Sequence, residues 1–368
     1  MANRKPIPKR VDPSKTPVKG AAKKPSKGSS GSSKPQVAAP PKAAAKPQTK
    51  ARVAVQPTVR KSKGGRPGGK KPRIVVQKAT FADWVGGARI RTLPLAIAPV
   101  ALGSASAFLL STPGWHWVRI LLCLAVAIGL QIGVNYANDY SDGIRGTDLY
   151  RMGPSRLTGS GIAKPRTVLT VALVFFALAA IAGVIVVILS GSYWLLAVGA
   201  ACIVAAYFYT GGKHPYGYYG LGELFVFVFF GIVATAGTTF VQVHTVNAES
   251  WFSGAAAGFL ACAVLMVNNL RDLEQDKLAG KRTLAVVVGS RGARILFGIF
   301  IVLAFAILGL FAVFFVKAPL VFFTLLLAVP AVLITATAKT APEFMLALRL
   351  TSLTALFFGL GLAWAIAY

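Results

Sequence analysis

Nine apolar runs, each near the roughly 20 residues that a helix needs to cross a bilayer, constrain this chain more than any other feature. They fall at about 92–111, 117–138, 167–189, 193–210, 221–241, 251–270, 293–315, 318–337 and 346–367. A short amphipathic lead-in, FADWVGGARIR (81–91), precedes the first. The expected fold is therefore an all-α polytopic membrane protein of nine transmembrane helices. A mean hydropathy of +0.62 with 55% hydrophobic residues agrees, being far too apolar for a soluble chain of 368 residues.

A formal charge of +29 is reconciled with this once it is divided by position. Residues 1–78 hold 22 of the 40 Lys and Arg and one acid, Asp12, so they carry +21 and the remainder +8. This stretch is rich in Lys, Pro, Ala, Ser and Gly and cannot bury enough surface to offset chain entropy, so it reads as a disordered cytoplasmic tail. It lacks the apolar core of a signal peptide. Its charge suits an anionic lipid surface or a solvated orientation signal. A nucleic acid partner is not expected, because it leaves the acidic motifs of the apolar region unexplained. Cys123, Cys202 and Cys262 all sit inside apolar runs and read as small packed hydrophobes.

Loop charge alternates along the membrane region (79–368). Loops 139–166 and 271–292 contain Arg145, Arg151, Arg156 and Lys164, then Arg271, Lys277, Lys281, Arg282 and Arg291; loops 111–116, 190–192 and 242–250 contain no Lys or Arg. The positive-inside rule places the basic loops and the N-terminus in the cytoplasm and the C-terminus outside.

Those same basic loops begin with acids. NYANDYSDGIRGTD (135–148) closes the second apolar run and carries Asn135, Asn138, Asp139, Asp142 and Asp148. NNLRDLEQD (268–276) closes the sixth, with Asn268, Asp272 and Asp276 at steps of four and Asn269 beside them. Both contain Asn-x-x-x-Asp, which puts the two side chains on one helix face. The four-helix offset between the copies implies an internal duplication with parallel halves, whose motifs would face each other across one cavity. Asp139, Asp142, Asp272 and Asp276 supply the hard oxygen ligands that suit Mg2+, which is commonly completed by substrate phosphate oxygens. The neighbouring cations would repel free metal and attract a diphosphate, so acids and bases together indicate a metal–diphosphate complex.

A third polar element, YTGGKHPYGYYGLGE (209–223), lies on the same face. Tyr209 and Lys213 stand one turn apart if the helix persists, although Gly211 and Gly212 favour a turn. Glu223 is either an N-terminal helix charge or a substrate contact. A cation transporter would also carry paired intramembrane acids, but those lie near the midplane on broken helices rather than at helix ends among Lys and Arg.

NDYSD (138–142), NNLRDLEQD (268–276), Tyr209-x-x-x-Lys213 and nine helices resemble the UbiA superfamily of intramembrane prenyltransferases. RMGPSRL (151–157), YTGGKHPYGYYGLGELFVFVFFG (209–231) and NNLRDLEQDKLAGKRTLAV (268–286) resemble its branch acting on 1,4-dihydroxy-2-naphthoate. The resemblance covers about 80–368. Asp148 stands six residues after Asp142, where the superfamily pattern has four. The resemblance implies that Asp139, Asp142, Asp272 and Asp276 hold Mg2+ on the diphosphate of a polyprenyl diphosphate. It further implies that the resulting allylic cation is attacked by the naphthoate ring at its carboxylate-bearing carbon, with loss of CO2. Asn135, Asn138, Asn268, Asn269 and Tyr209 are candidate substrate contacts. Lys213, Lys281 and Arg282 are candidates for the diphosphate, and Arg145, Arg151 or Arg156 for the acceptor carboxylate. Other acceptors of the superfamily, 4-hydroxybenzoate, haem or a chlorin, are the alternative.

Overall fold

The computed structural model describes residues 78–110, 115–147 and 156–368. The expected tail through residue 77, Asp148 and Arg151 lie outside the described residues. Among the described residues every regular element is helical.

The helices begin and end where local chemistry dictates. Thr80 and Asp83 form a reciprocal capping box at the start of the lead-in helix Phe81–Ala88. Arg89 ends it in the left-handed conformation at φ 53°, and the chain bends by 44° into Pro94–Leu110. Trp117–Arg145 then carries the first acidic motif and stops at Gly146, whose φ of 73° is cheap only for glycine. Pro165–Ser190 opens with proline in its first turn, which needs no backbone donor there. Leu195–Phe208, Gly222–Val243, Ala248–Arg271, Leu284–Phe314, Ala318–Thr337 and Ala341–Ala367 complete the bundle.

Among the described residues seven helices are long and apolar enough to cross a membrane, or eight if the bent pair Phe81–Thr92 and Pro94–Leu110 counts as one span. The expected nine is not reached by this measure because the 193–210 run yields only Leu195–Phe208. Its 14 residues rise about 21 Å against a hydrocarbon core of about 30 Å. Its ends nevertheless reach opposite ends of the bundle. Trp194 packs on Phe240 with ring centroids 5.4 Å apart, while Thr210, just past the other end, bonds to Asn138.

The main core lies among Pro94–Leu110, Ala248–Arg271, Leu284–Phe314 and Ala341–Ala367, around Leu102, Leu260, Met266, Phe297, Leu308 and Phe358. Outward-facing residues such as Ile181, Ile188, Val302, Leu326 and Leu333 are exposed and apolar, as a lipid-facing surface requires. A smaller cluster, Tyr136, Ala137, Leu157, Val168, Ala172 and Phe176, seats the lead-in helix through Trp84.

Helix association in lipid relies on close backbone approach. Gly231 meets Gly254 and Gly258, and a Cβ at Gly231 would stand 2.5 Å from Gly258 Cα. Around this crossing, Phe227–Val233 widens into a π-helical segment, a form that often occurs at functional sites. Phe229, Phe230 and Val233 from it line the cavity described next.

Candidate active site

One cavity of about 560 Å3 runs through the bundle. One end is polar, with Asp142, Arg156, Asp272, Asp276 and Lys281, and the body is lined by residues such as Leu130, Val184, Val187, Phe229 and Val233. The far end reaches Cys123 and Val241. Near it Arg119 donates to the terminal carbonyls of two helices, Leu189 O and Gln242 O, at 2.8 Å each. Those carbonyls have no intrahelical partner, and the guanidinium satisfies both.

The polar end brings the two acidic motifs to the same space. Asn135, Asn138 and Asp142 come from Trp117–Arg145, and Asn268, Asn269, Asp272 and Asp276 from the end of Ala248–Arg271 and the short helix Leu273–Leu278 after it. Asp142 is 2% exposed. Its Oδ1 accepts from Lys281 Nζ at 2.8 Å and the Tyr218 hydroxyl at 2.7 Å, and Oδ2 accepts from Arg156 at 2.9 Å. Arg156 also donates to Asn138 O at 3.0 Å, so one guanidinium spans a turn of the motif helix. Lys281 Nζ stands 4.7 Å from the Tyr218 ring centre, a favourable cation–π position. Burial, and then the Asp142 carboxylate, push the Tyr218 phenol above its ordinary range, so it serves as a neutral donor. Asp272 takes a two-pronged ion pair from Arg271, at 2.8 and 2.6 Å.

Asp139 is placed differently. Its two oxygens accept from the Leu157 and Thr158 amides at 2.9 and 2.8 Å, and it does not line the cavity. A carboxylate three residues from Asp142 thus binds the returning loop and holds Arg156 in reach of Asp142. Arg145 also points away from the cavity lining, donating to the carbonyls of Thr210 and Gly212. Lys213 and Arg282 are exposed and outside the lining. The helix before Lys213 ends at Phe208 and Gly212 turns at φ 75°, which removes the one-turn relation to Tyr209. Tyr209 itself lines the cavity.

Several contributors escaped sequence reasoning. Arg89 and Thr92 line the cavity from the lead-in segment, which Asn135 ties down by donating to Ala88 O at 3.0 Å, and Gln131 lines it from Trp117–Arg145. Gln131 donates to the Thr92 hydroxyl at 3.0 Å. Tyr218 lay within the quoted tyrosine-rich stretch, but nothing in its spacing separated it from Tyr216 or Tyr219. Glu223, which the sequence left open between a helix-start charge and a substrate contact, is 5% exposed and accepts from Asn269 Nδ2 at 3.0 Å through Oε1; among the described residues Oε2 has no hydrogen-bond partner.

Residues 96–343 match the UbiA prenyltransferase family. The chain is 55% identical over 219 residues to a 1,4-dihydroxy-2-naphthoate octaprenyltransferase of Mycobacterium tuberculosis, covering 60% of this chain and 74% of that one. It is 38% identical over 221 residues to the Escherichia coli protein of the same name, covering 57% and 70%. Among solved structures, a UbiA homolog from Aeropyrum pernix K1 superimposes with a TM-score of 0.56 at 18% identity, covering 73% of this chain and 96% of that one. A UbiA homolog from Archaeoglobus fulgidus bound to DMAPP and Mg2+ gives 0.51 at 16% identity, covering 77% and 99%. A family match over two thirds of the length, carried by a helical membrane bundle whose two acidic motifs share one cavity, places this chain in the UbiA prenyltransferase family.

Proposed function

We propose that this membrane protein transfers a polyprenyl group from polyprenyl diphosphate to 1,4-dihydroxy-2-naphthoate, releasing diphosphate and CO2 and forming demethylmenaquinol for menaquinone biosynthesis. The observation that carries the reaction type is the single cavity that joins a charged end to a long apolar body. It matches a donor with a diphosphate head and an isoprenoid tail. The acceptor follows from the relatives named for 1,4-dihydroxy-2-naphthoate, at 55% and 38% identity.

Asp142, Asp272, Asp276 and Asn268 surround the polar end with hard oxygens, the donor chemistry that Mg2+ takes, and these side chains would hold the ion. Mg2+ is usually bound through one or two carboxylates and completed by substrate phosphate oxygens, so the diphosphate would complete the set. Bound there, Mg2+ supplies charge neutralisation for the diphosphate. Asp139 contributes by holding the loop that presents Arg156. Lys281 and Arg156, already paired with Asp142, lie where a diphosphate would share them.

The allylic C–O bond breaks and its electron pair leaves with the diphosphate. Positive side chains fixed before the reaction stabilise that developing charge without reorganisation. The ring carbon bearing the carboxylate forms the new C–C bond, and the C–CO2 bond breaks to return its pair to the ring. Apolar cavity walls hold the isoprenoid and keep water from the cation. The same loop charges support a cytoplasmic N-terminus and an extracytoplasmic C-terminus, with the basic tail near anionic lipid. Terminal reporter fusions check that orientation.

The deciding experiment supplies carboxyl-labelled naphthoate with polyprenyl diphosphate and Mg2+ and follows the label. The expected result is one labelled CO2 per prenyl group transferred. Label retained in a prenylated product, or preferential turnover of 4-hydroxybenzoate, refutes the acceptor.

A further inference from the structure

Glu223 and Asn269 form a pair that the reaction as derived above does not use. They are 46 positions apart, yet Asn269 Nδ2 donates to Glu223 Oε1 at 3.0 Å. Cys262 Sγ donates to the Glu223 carbonyl at 3.1 Å and helps fix the backbone from which the carboxyl projects. No described Lys or Arg forms an ion pair with Glu223. The carboxyl lies behind the cavity wall, whereas Asn269 is part of that wall.

That hydrogen bond fixes the rotation of the Asn269 amide. With Nδ2 turned to Glu223, the amide presents Oδ1 on its other edge, and no described donor engages it. Leu265, Val226, Phe225 and Tyr216 line the same cavity, the last two stacked with centroids 4.0 Å apart. The Tyr209 hydroxyl lies over Gly222, 3.2 Å from where a Cβ there would stand. A carbonyl oxygen backed by a carboxyl repels phosphate oxygens and accepts from an O–H donor. Flat aromatic surface in the same cavity as such an acceptor suits a hydroxylated ring better than a diphosphate.

We propose that Glu223 is a positioning residue that fixes the Asn269 amide, so that Asn269 Oδ1 accepts a hydrogen bond from a ring hydroxyl of the aromatic acceptor; this rests on the prenyl-transfer reading above. The bond orients the ring and leaves more electron density on it for attack. It also makes the hydroxyl a condition for efficient turnover, because an acceptor lacking it leaves the amide oxygen unmet.

The test measures steady-state kinetics of the full chain in lipid with polyprenyl diphosphate, Mg2+ and 1,4-dihydroxy-2-naphthoate or its two mono-O-methyl ethers. Glu223→Leu and Asn269→Leu each should lower kcat/KM for the naphthoate by about tenfold, as losing one hydrogen bond does, with donor KM within about twofold. Glu223→Gln, whose side-chain oxygen still accepts from Asn269, should recover most of the Glu223→Leu loss. Wild type should discriminate against one ether by about tenfold or more, and Asn269→Leu should abolish that discrimination. Unchanged discrimination in Asn269→Leu, or a Glu223→Leu effect on donor KM alone, overturns the proposal while leaving the prenyl-transfer reading intact. A wild type that prenylates no naphthoate overturns both. If Glu223→Leu is not recovered as a monodisperse protein, Asn269→Leu and the ethers decide alone.

Discussion

Asp139→Asn separates two roles that the first acidic motif leaves entangled. In the structure both Asp139 oxygens accept backbone amides, from Leu157 at 2.9 Å and Thr158 at 2.8 Å, and the residue is 2% exposed. Hydrogen bonds to an ionised acceptor contribute about 1.5–3 kcal/mol each. Asparagine keeps one acceptor oxygen and turns an NH2 toward the other amide, so about 1.5–3 kcal/mol of local stability is lost. At about 1.4 kcal/mol per tenfold, opening of the 156–158 turn should become roughly 10- to 100-fold more frequent. Hydrogen exchange of peptides covering 156–163 reads this directly, because Ala163 N also bonds to Leu157 O at 3.0 Å and should follow. Activity should fall because Arg156 is carried by the same turn and pairs with Asp142 at 2.9 Å. The Mg2+ concentration giving half-maximal activity should stay within about twofold, since no metal ligand is removed. Unchanged exchange together with a strongly raised Mg2+ requirement refutes the clamp and makes Asp139 a ligand.

Asp272→Ala and Asp276→Ala should each lower turnover by about 10²–10³ without unfolding the bundle, and excess chelator should abolish wild-type activity. Activity persisting in chelator removes the metal from the reaction. Gly231→Ala should destabilise the crossing with Ala248–Arg271, because the new Cβ would lie 2.5 Å from Gly258 Cα and 2.6 Å from Gly254 O, both backbone atoms. A lower thermal transition in detergent checks it, and an unchanged one means that the two helices separate without cost. Deleting residues 2–78 should leave turnover of correctly inserted protein within about tenfold of wild type, a limit of about 1.4 kcal/mol on the barrier. A larger loss would assign the tail a part in catalysis.

Hydropathy along the chain determined the helical membrane class, because the cost of exposing backbone polar groups to lipid leaves a run of about 20 apolar residues little choice but a helix. It was less able to count spans. The 193–210 run is apolar throughout, yet it forms a regular helix of only 14 residues, with turns at both ends. The two acidic motifs were legible because their polar residues end apolar runs and repeat the same Asn-x-x-x-Asp spacing. Spacing along one helix cannot say what faces it. Asp139 and Asp142 lie three residues apart, and only the return of Leu157 and Thr158 gave one of them to the backbone and left the other to Arg156, Lys281 and Tyr218. The one-turn relation of Tyr209 and Lys213 was conditional on helix continuity, and the turn that Gly211 and Gly212 favour is what the structure has. The Glu223–Asn269 pair joins two helices across 46 positions. Local periodicity carries the energy of burial against lipid, which acts residue by residue; the orientation of a side chain across a cavity depends on helix packing, which arises only when the whole bundle closes.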